Sequence, residues 1–139
     1  MADQPVRGVI DTSVVIDLEH VAARDLPAEL AVSAVTLAEL AAGPHATPDP
    51  QERARRQDRL QRAEATFEPL PVDANVARAY GRIYAAVSGS GRKARGARSL
   101  DLLIAATALA SNLPLYTRNP DDFRGTESLI DIVALAPAN

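Results

Sequence analysis

A chain of 139 residues can bury roughly 70% of the surface its unfolded form exposes, and with 47% hydrophobic residues it fits one globular domain spanning 1–139. It has no cysteine, which excludes disulfides, thiolate nucleophiles and cysteine-held zinc or iron–sulfur centres, and only His20 and His45 are available to a histidine-rich metal site. The net charge of −3 argues against a uniformly basic nucleic-acid protein, although the total hides local basic clusters at Arg53 to Arg62 and Arg92 to Arg98. No apolar run approaches the roughly 20 residues of a membrane span, and Met1 to Pro5 lacks a basic-then-apolar export signal. A soluble, cytoplasmic protein is the expectation.

In chain order, Val6 to Ile10 predicts a short buried strand ending at the polar Asp11-Thr12-Ser13, with a helix from Val14 to His20. Leu30 to Val32 predicts a second strand, and Ser33 to Gly43 a helix stopped by Gly43-Pro44. His45 to Pro50 reads as a loop, and Gln51 to Thr66 as a charged amphipathic helix. Phe67 to Val72 predicts a third strand, confined by Pro69 and Pro71 to the sheet's edge. Asp73-Ala74-Asn75 caps a helix running to about Val87, and a basic, glycine-rich loop from Ser88 to Arg98 follows. Ser99 to Ala110, with Asp101 as its one charge, predicts a buried helix. Leu115 to Thr117 and Ile130 to Leu135 are the fourth and fifth strands, with the polar turn Arg118 to Phe123 between them. This alternation predicts an α/β three-layer sandwich around a mostly parallel, five-stranded sheet.

Ligands of open parallel sheets bind beyond the strands' carboxyl ends, where strand order reverses. If strands one and four are neighbours there, Asp11, Glu39, Asp101 and one of Asp121 and Asp122 converge. Each has a plain structural reading as well: Asp11 as a helix cap, Thr36-x-x-Glu39 as a capping box, Asp101 as a first-turn acid, and Asn119-Pro120-Asp121-Asp122 as turn chemistry. Glu39 and Asp101, however, sit in otherwise uncharged apolar runs. Carboxylates sharing one pocket repel and take up protons unless a divalent cation holds them ionised. Oxygen-only ligands select Mg²⁺ or Mn²⁺, and such a site can activate a water in line with a phosphorus atom. The chemistry indicated is phosphodiester hydrolysis.

The segments Val9-Ile10-Asp11-Thr12-Ser13, Ser33 to Leu40, Asp101 to Ala108 and Thr117-Arg118-Asn119-Pro120-Asp121-Asp122-Phe123 resemble, in order and spacing, the motifs of PIN domains, and in particular VapC-type toxins of bacterial toxin–antitoxin pairs. The resemblance covers essentially the whole chain. It implies a sheet ordered 3-2-1-4-5 and a Mg²⁺- or Mn²⁺-dependent endoribonuclease acting on an RNA substrate. It also implies homodimers and inhibition by a cognate antitoxin whose tail covers the active site. By motif, Asp11, Glu39, Asp101 and Asp122 would be the catalytic acids, with Asp121 as rival to Asp122, and Asp11, Asp101 and Asp122 would hold the metal. Ser13 or Thr12, Thr117 and Asn119 would support them. Many relatives carry an acid where this chain has Asn119, which lowers the pocket's charge and weakens the case for a second metal.

Arg53 to Arg62 is interleaved with acids and reads as a solvated face. Arg92, Lys93, Arg95 and Arg98 have no acid among them and precede Asp101, so they are candidate RNA contacts. Two other classes compete. A phosphoacceptor receiver would need a lysine after a strand, but Lys93 follows none; a haloacid-dehalogenase-type phosphatase would need an acid where Ser13 stands. A catalytically silent PIN-like module that binds RNA or a partner is the alternative.

Overall fold

The computed structural model describes residues 6–91 and 98–136. Strand β1 (Arg7–Ile10) lies inside a parallel sheet, between β2 (Glu29–Ala31) and β3 (Leu115–Thr117), with β4 (Ile132–Ala134) beyond β3. The order is β2-β1-β3-β4.

The third predicted strand is the correction. Of Phe67 to Val72 only Leu70 pairs, through one parallel bridge to Ser33: its N–H donates to the Val32 carbonyl (2.8 Å) and its carbonyl accepts from Ala34 N–H (2.9 Å). Pro69 and Pro71 on either side have no N–H to extend a ladder. Leu70 nonetheless lies beyond β2, where the third strand of a 3-2-1-4-5 order belongs, so among the described residues the sheet has four strands and the order is kept.

Helices α1 (Thr12–Ile16), α2 (Ala34–Ala42), α3 (Pro50–Thr66), α4 (Ala74–Gly89) and α5 (Arg98–Ala110) fill the connections. The predicted helix from Val14 to His20 is divided: α1 ends at Ile16, and Leu18–His20 forms a separate 3₁₀ turn. The β-branched run Val14-Val15-Ile16 is a poor helix former, which suits so short a helix. Ser33, Asp49 and Asp73 cap α2, α3 and α4, their side chains accepting backbone N–H bonds.

The period-two geometry of the strands sorts the core into two clusters. Val9, Ala31 and Leu115 join Ile83 and Val87 of α4 and Leu102, Ile104 and Ala105 of α5. Ile10, Val32 and Tyr116 join Val14, Val15, Leu40 and Ala63. Helices therefore cover both faces of the sheet. Helix α5 is buried almost all round, as its apolar sequence requires. Among the described residues no helix is long and apolar enough to cross a membrane.

Gly8 is fixed by packing: a Cβ there would stand 2.6 Å from Cε1 of the buried Tyr116 ring and 3.2 Å from Pro27 Cγ. Gly8→Ala is expected to cost about 1–3 kcal/mol, the usual penalty of overpacking. A lowered denaturant midpoint at unchanged slope measures it; an unchanged midpoint contradicts the packing argument.

Candidate active site

With the order β2-β1-β3-β4, the chain leaving β1 runs to β2 on one side and the chain leaving β3 to β4 on the other, so the strand order reverses beyond the carboxyl ends of β1 and β3, the place where open parallel sheets bind ligands. Asp11 follows β1 directly and is buried; Thr117 ends β3 and is fully buried. The two meet: Thr117 Oγ1 donates to Asp11 Oδ2 at 2.5 Å. Ser13 Oγ donates to Asp11 Oδ1 at 2.6 Å, and Val14 N–H donates to the same oxygen at 3.1 Å. Thr117 Oγ1 in turn accepts Asn119 N–H at 2.9 Å, and Ser13 Oγ accepts Arg118 N–H at 3.2 Å. Asp11 is thus both the N-cap of α1 and a site carboxylate held on both oxygens. Burial raises its pKa, the bonds from Ser13, Thr117 and Val14 pull it back, and the charge of Asp122 raises it further.

Glu39 lies on α2 and is half-buried. Its Oε1 accepts from Thr12 Oγ1 at 2.7 Å, and Thr12 Oγ1 also lies 3.1 Å from Thr36 Oγ1. The capping-box reading of Thr36 and Glu39 does not hold: the helix is capped by Ser33, and Thr36 already lies within it, buried beneath Thr12. Thr36 is a contributor that sequence reasoning missed. Its spacing from Glu39 was legible, but a cap and a hydroxyl stacked under the site share that spacing.

Asp101, in the first turn of α5, is pushed up to about 7, foremost by burial and then by the charges of Asp122, Glu39 and Asp11, with Arg98 opposing. A carboxyl that responds to three others shares its pocket with them. Of the two rival acids, Asp122 is half-buried and acts on both Asp101 and Asp11. Asp121 is exposed and pairs with Arg124 at 2.6 Å. Asn119 is exposed, and its side chain does not cap the 3₁₀ turn Pro120–Phe123. Arg98 Nη1 donates to the Asp122 carbonyl at 3.0 Å, tying the start of α5 to that turn. Arg92, Lys93 and Arg95 lie outside the described residues.

Among the described residues no three His, Cys, Asp or Glu side chains form a ready-made metal-ligand group. The donor set still suits Mg²⁺ or Mn²⁺. It is made of carboxylate oxygens, burial and then the neighbouring charges push Asp101 up to about 7, and Mg²⁺ is commonly held by one or two carboxylates together with waters and substrate phosphates.

The family model for the PIN domain matches residues 8–128. Ribonuclease VapC5 of Mycobacterium tuberculosis is 37% identical over 135 residues, covering 95% of this chain and 96% of that protein. Ribonuclease VapC8 of the same organism is 38% identical over 102 residues, covering 73% of this chain and 89% of that protein. The crystal structure of VapBC-5, a member of the VapBC family of toxin–antitoxin systems from M. tuberculosis, superposes with a TM-score of 0.81 at 35% identity, covering 96% of this chain and 100% of the matched one.

Proposed function

The chain belongs to the PIN domain family, and from that premise we propose that it is the toxin of a toxin–antitoxin pair, an endoribonuclease that hydrolyses RNA phosphodiester bonds with Mg²⁺ or Mn²⁺. The observation that carries this reading is the hydrogen-bonded arrangement at the strand-order switch, in which Ser13 and Thr117 hold Asp11, Thr12 holds Glu39, and Arg98 ties the start of the helix bearing Asp101 to the turn bearing Asp122. Asp11, Asp101 and Asp122 would hold the cation. When bound, it would lower the pKa of a water and neutralise charge on the phosphate.

The protein's own groups divide the remaining work. Ser13, Thr117 and the Val14 N–H fix the orientation of Asp11, and Thr12 fixes Glu39. Burial and the neighbouring acids push the Asp101 carboxyl up to about 7, with Arg98 opposing. Arg92, Lys93, Arg95 and Arg98 would meet the RNA backbone, and the protein would act as a homodimer.

The likeness to a VapBC toxin–antitoxin structure supplies the partner class, and the surface offers it a place. A groove of about 330 Å³ between α1 and α3 is lined by Val15, Ile16, Leu18, Ala63 and Phe67, with Arg59 and Arg62 at its rim. An amphipathic antitoxin segment would seat its apolar side there and run on to cover the acids.

Purified protein is expected to cut RNA in Mg²⁺ or Mn²⁺, to stop in EDTA, and to resume when the metal is restored. Cleavage unaffected by EDTA would overturn the metal-dependent reading. The lack of a ready ligand group among the described residues favours, as a second reading, a silent module that binds RNA or a partner. Millimolar Mn²⁺ separates the two, because a ligand that binds only the folded state must raise the melting temperature.

A further inference from the structure

We propose that the ion pair between Arg118 and Asp17 is a clamp that positions α1, and through it the two hydroxyls that orient Asp11 and Glu39. Arg118 and Asp17 are then positioning residues for the reaction.

Helix α1 has 5 residues, too few to be stable by itself. Yet it carries adjacent side chains aimed at two different acids: Thr12 donates to Glu39 at 2.7 Å and Ser13 to Asp11 at 2.6 Å. A small tilt of α1 would misdirect both. Arg118, the residue after β3, grips the helix at two points. Its N–H donates to Ser13 Oγ at 3.2 Å, and its Nη1 lies 2.6 Å from Oδ2 of Asp17, the C-cap. Ser13 and Asp17 are one turn apart, and the Asp17 N–H bonds back to the Ser13 carbonyl at 3.4 Å. Main chain and guanidinium of one residue therefore span the length of α1.

Burial sets this pair apart. The Arg118 side chain is 15% exposed and that of Asp17 45%, whereas the arginines of the other ion pairs among the described residues run from 31% exposed at Arg56 to 68% at Arg62. Exposed pairs of that kind hold geometry weakly; here a mostly buried guanidinium meets a half-exposed carboxylate at short range, and removing the carboxylate leaves the buried charge without that partner. Arg118 also belongs to the segment that supplies Thr117, so it locks α1 to the strand whose hydroxyl takes the other oxygen of Asp11.

The kinetic part of the proposal rests on the ribonuclease reading; the structural part does not. Asp17→Asn and Arg118→Ala should each lower kcat for RNA cleavage 10–100-fold with KM changed less than threefold, the range found when groups behind a metal ligand are removed. The double variant should be no slower than the slower single one. Independently of activity, amide hydrogen exchange at Val14 and Arg118 should accelerate at least tenfold in both variants, with Val9 in the core unchanged. Arg118→Lys, which keeps charge without the planar fork, should recover part of the rate.

Unchanged exchange at Val14 and Arg118 in both variants would overturn the clamp. So would a rate loss for Arg118→Ala confined to KM with Asp17→Asn at the wild-type rate, the result expected of a plain phosphate contact. Wild-type protein that cuts no RNA would strike the ribonuclease reading alone, and the exchange arm would still decide the clamp.

Discussion

Asp101→Asn is expected to abolish RNA cleavage, lowering it by about 10³-fold or more, and at the same time to make the protein more stable at pH 8. The loss follows if Asp101 helps hold a cation whose stabilisation of the transition state amounts to several kcal/mol. The gain follows from linkage. The Asp101 carboxyl titrates at about 7 in the folded protein and near 4 when unfolded. Between those values the folded state holds a proton that the unfolded state has released, so stability falls as pH rises through the window.

Below about pH 4 the wild-type carboxyl is neutral in both states and the asparagine brings little change. Above pH 7 the wild type carries the full cost of an ionised, repelled carboxylate and the variant does not. Solvent screening at this half-buried site reduces the gain to about 1–2 kcal/mol. Denaturant titrations at pH 4 and pH 8 in EDTA would measure it, and equal midpoints at pH 8 would contradict the electrostatic picture. Saturating Mn²⁺ should reverse the order, because the wild type then gains binding energy that the variant lacks.

Such opposed effects explain which parts of the molecule could be read in the sequence. The apolar run from Leu102 to Ala108 announced a buried helix because burial on all sides leaves no room for a polar stripe. The order of the strands is implied by the resemblance to PIN domains rather than by any local pattern, and Leu70 marks the expected outer position. The length of the third strand was misread because local pattern counts apolar residues, while a ladder needs the N–H groups that Pro69 and Pro71 lack. In the site, Glu39 and Asp101 stand out as candidates by their isolation in apolar surroundings, and Asp11 and Asp122 by strand-end position and motif. Their supports stand out less. Thr36 and Thr12 touch across 24 residues of sequence, and Arg118 meets Ser13 across 105; no local rule connects such distances. The preference for Asp122 over Asp121 rests on its place directly before Phe123; the local pattern does not reveal that Asp121 pairs with Arg124 while Asp122 is half-buried and its charge reaches Asp101.

At Asp11, asparagine and alanine should be equally inactive and unequally stable. Asp11→Asn keeps an acceptor at Oδ1 for Ser13 Oγ and Val14 N–H, so the cap on α1 survives. Its amide nitrogen would face Thr117 Oγ1, which already accepts Asn119 N–H and has a second lone pair to offer. Such a variant should unfold within about 1–2 kcal/mol of the wild type, the cost of one rearranged hydrogen bond. Asp11→Ala removes the cap, worth about 1 kcal/mol. It also strands the fully buried Thr117 hydroxyl, an unsatisfied polar group costing about 1–3 kcal/mol. A destabilisation of roughly 2–4 kcal/mol is expected from the two losses together. Cleavage should fall by about 10³-fold or more in both variants, because neither supplies the carboxylate. An asparagine variant that retained a tenth of the wild-type rate would show that the charge of Asp11 is dispensable. Removing that charge also takes away one of the repulsions acting on Asp101. Asp11→Asn combined with Asp101→Asn should therefore gain less stability at pH 8 than the two separate changes sum to, the non-additivity expected of groups sharing one field.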